Sequence, residues 1–329
     1  MKKLIAVAVL IMPFLFSGCA SIGRQKAVAT QPQSVLAAFR SREFKNDSVN
    51  VVYLQKSTAT ADVVAVISIS GEIGEEEDSS MIGNLKMMLR VAREDYRVKA
   101  VILKVQSPGG SVNASDLMWN EVMKFKKSGK PVVAFFNGMA ASGGYYISVP
   151  ADKIVATPET ETGSIGVIMY VSDISGKLKK EGVKYTVIKS GANKDMLSPL
   201  GPPTKEAMEI MKKIIDSSYE RFVQKVAQGR HMDSSIVRIL ADGRIYDAEQ
   251  ALKHKLIDQI GYIEDSFDVA KTLASVNDAS LIELKSKKSA VPDFFAMLNG
   301  KSSMDIDRQC FPLRNGLYFL WKVSDCNLK

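Results

Sequence analysis

Two glycine-rich stretches carry residues that could do chemistry: Ser107-Pro108-Gly109-Gly110-Ser111 and Gly138-Met139-Ala140-Ala141-Ser142-Gly143-Gly144. Each follows an apolar run that reads as a β-strand, and open α/β sheets place their sites at such strand ends. Glycine lets backbone N–H groups approach a ligand with no side chain in the way. Two such turns side by side could supply a pair of amides to a developing oxyanion. Taken singly, each also reads as a tight turn and nothing more. Neither is a P-loop, because no Gly-Lys-Ser/Thr follows at the required spacing, and neither is a dinucleotide fingerprint. The second departs from the G-x-S-x-G elbow, because Ala140 stands two residues before Ser142.

Ser142 is the candidate nucleophile, with small neighbours at a strand-to-helix turn. A serine hydroxyl needs a base. The two histidines, His231 and His254, sit in polar, Arg- or Lys-bearing surroundings and read as surface residues. A Ser-His-Asp triad is therefore not expected, and lysine is left as the base. A free lysine, with a pKa near 10.4, is neutral in only about one molecule in a thousand near pH 7.5. A lysine base must lose about three pH units of basicity, equivalent to about 4 kcal/mol, through burial or a neighbouring cation. Lys189 and Lys194 follow the last predicted core strand, and both also read as solvated loop lysines. Asp195 would hold a facing ammonium charged, so it should point away from Lys194.

These residues need a scaffold of strands. Val63–Ile69, Ala100–Val105, Pro131–Phe136, Lys153–Ala156 and Lys184–Lys189 read as strands, and Val49–Leu54 as a short additional one. Met81–Glu94, a segment from Ser111 as N-cap through Lys127, a short stretch near Gly143–Val149, and Lys205–Gln228 read as helices. Alternation at this spacing predicts an α/β core with right-handed crossovers. Met208, Met211, Ile215, Phe222 and Val226 share one face of the long helix, a packing stripe for the core or for another subunit.

The stretches at 107–111 and 141–146 (Ala-Ser-Gly-Gly-Tyr-Tyr) combine with Thr-Gly-Ser-Ile-Gly-Val at 162–167, Lys-Ser-Gly-Ala-Asn-Lys-Asp at 189–195 and Asp-Gly-Arg-Ile-Tyr at 242–246. In this order they resemble the bacterial signal peptide peptidase family, over about residues 63–273. The resemblance implies a ClpP/crotonase-like α/β core of repeated ββα units in a single protease domain. It implies a Ser/Lys dyad: Ser142 as nucleophile, Lys194 as general base, and Ser164 as the hydroxyl that positions the lysine. Gly109 and Gly110 match the loop that supplies an oxyanion-hole amide, and the Gly143 amide matches a second donor. Short members assemble into homo-oligomeric rings or domes of eight, in which the base can come from a neighbouring protomer.

Composition sets outer bounds. The 329 residues carry 44 Lys plus Arg against 36 Asp plus Glu, a net charge of +8, with 46% hydrophobic residues. This excludes chain-wide disorder and fibrous classes. The basic excess is scattered, which argues against nucleic acid. Two His and three Cys, with no C-x-x-C pair, leave little for a metal site, and no cofactor is expected.

Lys2-Lys3 followed by apolar Leu4–Phe16 reads as an export signal. A helix of that length spans about 20 Å, short of the roughly 30 Å hydrocarbon core. Phe16-Ser17-Gly18-Cys19 resembles a lipobox, which implies lipid on Cys19; an uncleaved anchor and plain secretion are the alternatives. Ala20 leaves the outer membrane open. An exported chain could close a Cys310–Cys326 disulfide, the alternative being two free thiols. The predicted organisation is a signal peptide at 1–18, a lipidated tether at 19–60, a peptidase core at 61–284 and an aromatic tail at 285–329.

The expected protein is a membrane-tethered serine endopeptidase on the extracytoplasmic side, acting on cleaved signal peptides and unfolded apolar segments. The rivals are an inactive lipoprotein scaffold of the same fold and an acyl-CoA hydratase or isomerase. The second is disfavoured by the export signal.

Overall fold

The computed structural model of the chain describes residues 44–74 and 81–287, and the backbone of 318–320. The predicted leader, Cys19, Cys310 and Cys326 lie outside the described residues.

Runs of β-branched and small apolar residues build the centre of the fold. Val63–Ser70 (β2), Val98–Ser107 (β3), Val132–Ala141 (β5), Lys153–Ala156 (β6) and Gln259–Ile260 (β9) lie side by side, all parallel. On the other flank Ser280–Ser286 (β10) runs parallel to β2, and Val49–Gln55 (β1) closes that edge antiparallel to β10. Thr162–Gly163 (β7) extends the far end of β5 and pairs antiparallel with Ile245–Tyr246 (β8).

Alternation along the strands fills two cores. Ala65, Ile67, Val101 and Leu103 face one side, covered by Met81–Glu94 (α1), Val112–Lys126 (α2), Gly143–Ser148 (α3) and Lys205–Arg230 (α5). Val64, Val66, Ile102 and Phe135 face the other, covered by Phe267 and Ala270 of Ile263–Leu273 (α8). Burial on both faces is why these strands are apolar without interruption. Ser175–Lys180 (α4), Ser234–Leu240 (α6) and Ala248–Lys253 (α7) complete the described helices. The architecture is mixed α/β with a largely parallel sheet.

The short strand expected at Val49–Leu54 forms as Val49–Gln55 and belongs to the main sheet, with Phe44 buried beneath Arg97. Outside the glycine-rich stretches, the structure departs from the sequence expectations in two places. Lys184–Lys189 has strand-like alternation but pairs with no strand among the described residues, and its segment is exposed, Ile188 by 95%. The methionine stripe divides: Phe222 and Val226 are core, whereas Met208 is exposed.

One ionic junction ties α5 to the sheet. Arg230 Nη1 donates to Asp258 Oδ2 at 2.8 Å, and its side chain is 7% exposed. Asp258 also accepts from Ile154 N–H at 2.8 Å. Burial pushes the Asp258 carboxyl up, but the Arg230 hydrogen bond and charge outweigh it and hold the group below its ordinary value. The native state therefore binds fewer protons than the unfolded chain. Its stabilisation is full above the ordinary carboxylate range and is lost as pH falls through the lowered value. Asp258→Asn is expected to lower stability by about 1–3 kcal/mol at pH 7. Urea melts should show that gap narrowing as pH falls toward about 3.

Candidate active site

β3 and β5 end at the same edge of the sheet, where Ser107 pairs with Ala140. The two glycine-rich stretches therefore meet. The first is not a simple turn, because Gly109–Ser111 (β4) is a short strand. Gly109 C=O accepts from Ile73 N–H, and Ser111 N–H donates to Ile73 C=O, each at 2.8 Å. Successive peptide groups in a strand face opposite edges. The Gly110 N–H and C=O therefore point to the edge away from Ile73. Gly109 N–H instead donates to Ser107 Oγ at 3.2 Å, and Ser107 Oγ donates to Gly71 C=O at 2.7 Å. Ser111 caps α2, with its Oγ accepting from Ala114 N–H at 3.3 Å.

The second stretch is strand as far as Ala141, where a turn from Gly138 is predicted. Between the Val105–Phe136 and Ser107–Ala140 pairs β5 carries two more residues than β3, so it bulges there, with Gly138 at φ +93°. The turn comes at Ser142 itself, at φ +53° and ψ −114°. A non-glycine residue in this region costs about 1–3 kcal/mol and persists only when its surroundings enforce it. Here they do: Ser142 N–H donates to Gly163 C=O and Ser142 C=O accepts from Tyr146 N–H, each at 2.8 Å. Its Oγ makes no hydrogen bond among the described residues and does not cap α3.

Gly143 sits directly on the first stretch. A Cβ there would lie 2.6 Å from Ser115 Oγ, 3.1 Å from Gly109 Cα and 3.2 Å from Gly110 N. α3 is anchored by two aromatics to which the sequence reading assigned no role. Tyr145 OH donates to Leu256 C=O at 2.8 Å, and Tyr146 OH donates to Asp116 Oδ1 at 2.6 Å. Burial pushes both phenols up, Tyr146 further through the facing Asp116, so both remain donors. Their signal was a pair of polar-tipped aromatics immediately after the glycines.

Ser164 follows β7, so it is bonded to the residue whose carbonyl holds Ser142. It lies at φ +48°, is 6% exposed, and donates its N–H to Arg244 C=O at 2.8 Å. The structure thus gathers Ser142, Ser164, Gly110 and Gly143. Lys194 lies in an exposed turn, with no hydrogen bond or ion pair of its Nζ among the described residues. Asp195 does turn away from Lys194, because its carboxylate takes Lys189 Nζ at 2.6 Å. That partner holds the Asp195 carboxyl below its ordinary value. His231 is exposed as the left-handed C-cap of α5, and His254 lies edge-on to the Tyr246 ring. Neither bonds to Ser142.

A strained serine at the end of a parallel sheet, packed against a strand of bare backbone, has the placement a serine nucleophile would need. Residues 124–277 match peptidase family S49, and residues 53–165 match Clp protease. The chain is 40% identical over 270 residues to the putative signal peptide peptidase SppA of Enterococcus faecium, covering 80% of this chain and 78% of that one. It is 37% identical over 228 residues to Protease 4 of Salmonella typhi, covering 68% and 36%. It is 32% identical over 262 residues to the chloroplastic serine protease SPPA of Arabidopsis thaliana, covering 76% and 38%. The chain belongs to peptidase family S49 and is a Ser/Lys-type protease of the SppA kind, acting on peptides.

The contact at Gly143 sets a test. Gly143→Ala forces its methyl group between Ser115 and Gly109, and is expected to lower stability by about 1–3 kcal/mol. If the Gly143 amide is an oxyanion donor and the shift displaces it, serine acylation by a fluorophosphonate should slow by about 100-fold or more, the order of one lost donor. Thermal melts and labelling rates on the same sample separate the two effects.

Proposed function

We propose that the chain is an exported, lipid-anchored endopeptidase in which Ser142 is the nucleophile and Lys194 the general base. One observation carries the reading: Ser142 is held at positive φ, its hydroxyl without a hydrogen bond among the described residues, against the Gly110 and Gly143 backbone. Neutral Lys194 takes the Ser142 proton as Oγ attacks a peptide carbonyl. The Gly110 and Gly143 amides hold the oxyanion. Gly109, also a candidate from the family resemblance, is less suited because its N–H already faces Ser107. Lys194 then protonates the leaving amine, and water hydrolyses the acyl-enzyme. Ser164, adjoining the strand that holds Ser142, positions the lysine. No metal or nucleotide takes part.

Lys194 reaches a site only in an assembly, on this reading. Its segment exposes Ile174, Val183, Tyr185, Val187 and Ile188. A neighbouring protomer would bury that apolar surface and remove Lys194 from water, which favours the neutral amine. A homo-oligomeric ring, as in short family members with a ClpP/crotonase-type plan of ββα units, supplies such a neighbour. The substrates would be cleaved signal peptides and unfolded apolar segments at the membrane face, with Cys19 lipid as the tether. Among the described residues no helix is long and apolar enough to cross a membrane.

Intact mass after fluorophosphonate treatment of the detergent-purified chain tests the dyad. A single adduct is expected on the parent, none on Ser142→Ala, and a rate at least about 100-fold lower on Lys194→Ala. Lys189→Ala should label near the parental rate, because its ammonium is held by Asp195. Labelling lost with Lys189 and retained without Lys194 would reassign the base. No adduct in an oligomeric sample would leave an inactive scaffold.

A further inference from the structure

The first turns of α2 make two contacts with the turn that holds Ser142. Ser115 Oγ stands against Gly143, and Asp116, the next residue, accepts the Tyr146 hydroxyl at 2.6 Å. α2 begins directly after β4, with Ser111 as its N-cap, and α3 begins directly after Ser142. The docking of α2 on α3 therefore sets how the Gly110 and Gly143 amides stand to each other. A third helix reaches the same point. Lys225 of α5 places its Nζ 3.0 Å from Asp116 Oδ1, the oxygen to which Tyr146 also donates, and 3.0 Å from the centre of the Trp119 ring.

We propose that Lys225 is a positioning residue for the reaction: it fixes Asp116 as the acceptor that holds Tyr146, and through Tyr146 it holds the Ser142–Gly143 turn against β4. The inference rests on the reading of Ser142 as the nucleophile and extends it to a residue that touches no substrate. Three observations carry it. First, the ammonium is built into the fold. The Lys225 side chain is 18% exposed, between a carboxylate and the face of an indole. A cation over an aromatic face is attracted by the ring quadrupole, more strongly when it is withdrawn from water. α5 is fixed at this level by Phe222, which is buried and meets the Tyr146 ring edge-on at 4.9 Å.

Second, Asp116 depends on that cation to stay charged. Burial pushes its carboxyl up, but the hydrogen bonds from Tyr146 and Lys225 and the charges of Lys225 and Arg221 outweigh it and hold the group below its ordinary value. Arg221 gives its own N–H groups to Ser217 and Ser218, and among the described residues Lys225 is the cation paired with Asp116. A charged acceptor holds a hydroxyl about twice as strongly as a neutral one. Third, the anchored residue is one helical turn from the nucleophile. Tyr146 N–H donates to Ser142 C=O at 2.8 Å, one of the two bonds that clamp Ser142 at positive φ. α3 is only six residues long, so a hold on Tyr146 is a hold on the turn itself. A displacement of about 1 Å at a reacting group costs up to about 100-fold in rate.

Lys225→Met keeps an apolar stem over Trp119 and removes the charge. In the detergent-purified full chain, fluorophosphonate labelling followed by intact mass gives both a rate and an endpoint. The rate should fall by about tenfold while the whole sample is finally labelled. For an apolar peptide, kcat should fall alike, with KM within about twofold. Lys225→Arg keeps the charge and the stacking, and should bring the rate to within about threefold of the parent. In a Tyr146→Phe chain, the further change Lys225→Met should cost less than about twofold, because the tie it serves is already gone. A lowered endpoint at the parental rate would mark Lys225 as merely structural and overturn the proposal, as would losses that add in the double variant. Hydrogen exchange in a Ser142→Ala chain reads the same tie without chemistry: the Tyr146 amide should exchange at least about tenfold faster with Lys225→Met. Unchanged exchange would overturn the positioning. Faster exchange with no acylation of the parent would keep the tie and sink the nucleophile assignment instead.

Discussion

No side chain fits between Ser107–Ser111 and Gly143–Gly144. A Cβ on Gly144 would stand 2.8 Å from Ser107 O, and one on Gly110 2.1 Å from Ile73 O. This closeness sets the geometry of everything around Ser142. The turn that carries the hydroxyl can lie on the strand that presents the Gly110 amide only because both surfaces are bare backbone. The sheet makes the approach possible by ending β3 and β5 together. The bulge at Gly138 then takes up the two surplus residues of β5, so Ala140 still meets Ser107.

The strain at Ser142 follows from the same constraint. Leaving β5 and entering α3 within one residue requires φ +53°. Backbone bonds to Gly163 and Tyr146 clamp the residue on both sides, and the Tyr145 and Tyr146 hydroxyls pin the helix to Leu256 and Asp116. An unstrained serine at this junction would cap the helix with its Oγ. Positive φ turns the hydroxyl off that duty, so the strain and the uncapped hydroxyl are two aspects of one conformation.

Much of this was legible in the sequence, and the exceptions share a cause. Val63–Ile69, Met81–Glu94 and Lys153–Ala156 are locally unambiguous, since their patterns need no distant partner to be read. Ser142, Ser164 and the glycines were found through residue type and motif order. The errors arose where a distant partner decides the outcome. Gly109–Ser111 looks like a turn until Ile73 pairs with it. Gly138–Ala141 looks like a turn until β7 extends the sheet beside it. Val183, Tyr185 and Val187 alternate like a strand, yet among the described residues no strand pairs with them. Tyr145 and Tyr146 were given no role, because their anchoring depends on Leu256 and Asp116, which lie 111 and 30 residues away in sequence.

The two halves of the proposed dyad have opposite environments, and that contrast bears on control. Ser142 is buried within the most heavily determined part of the fold. Lys194 lies on an exposed loop whose one strong ion pair, Lys189 with Asp195, excludes it. On the proposed reading, a single chain fixes the serine in place but leaves the lysine exposed. If the base is completed by assembly, burial of Lys194 must precede cleavage, and that requirement confines proteolysis to assembled particles.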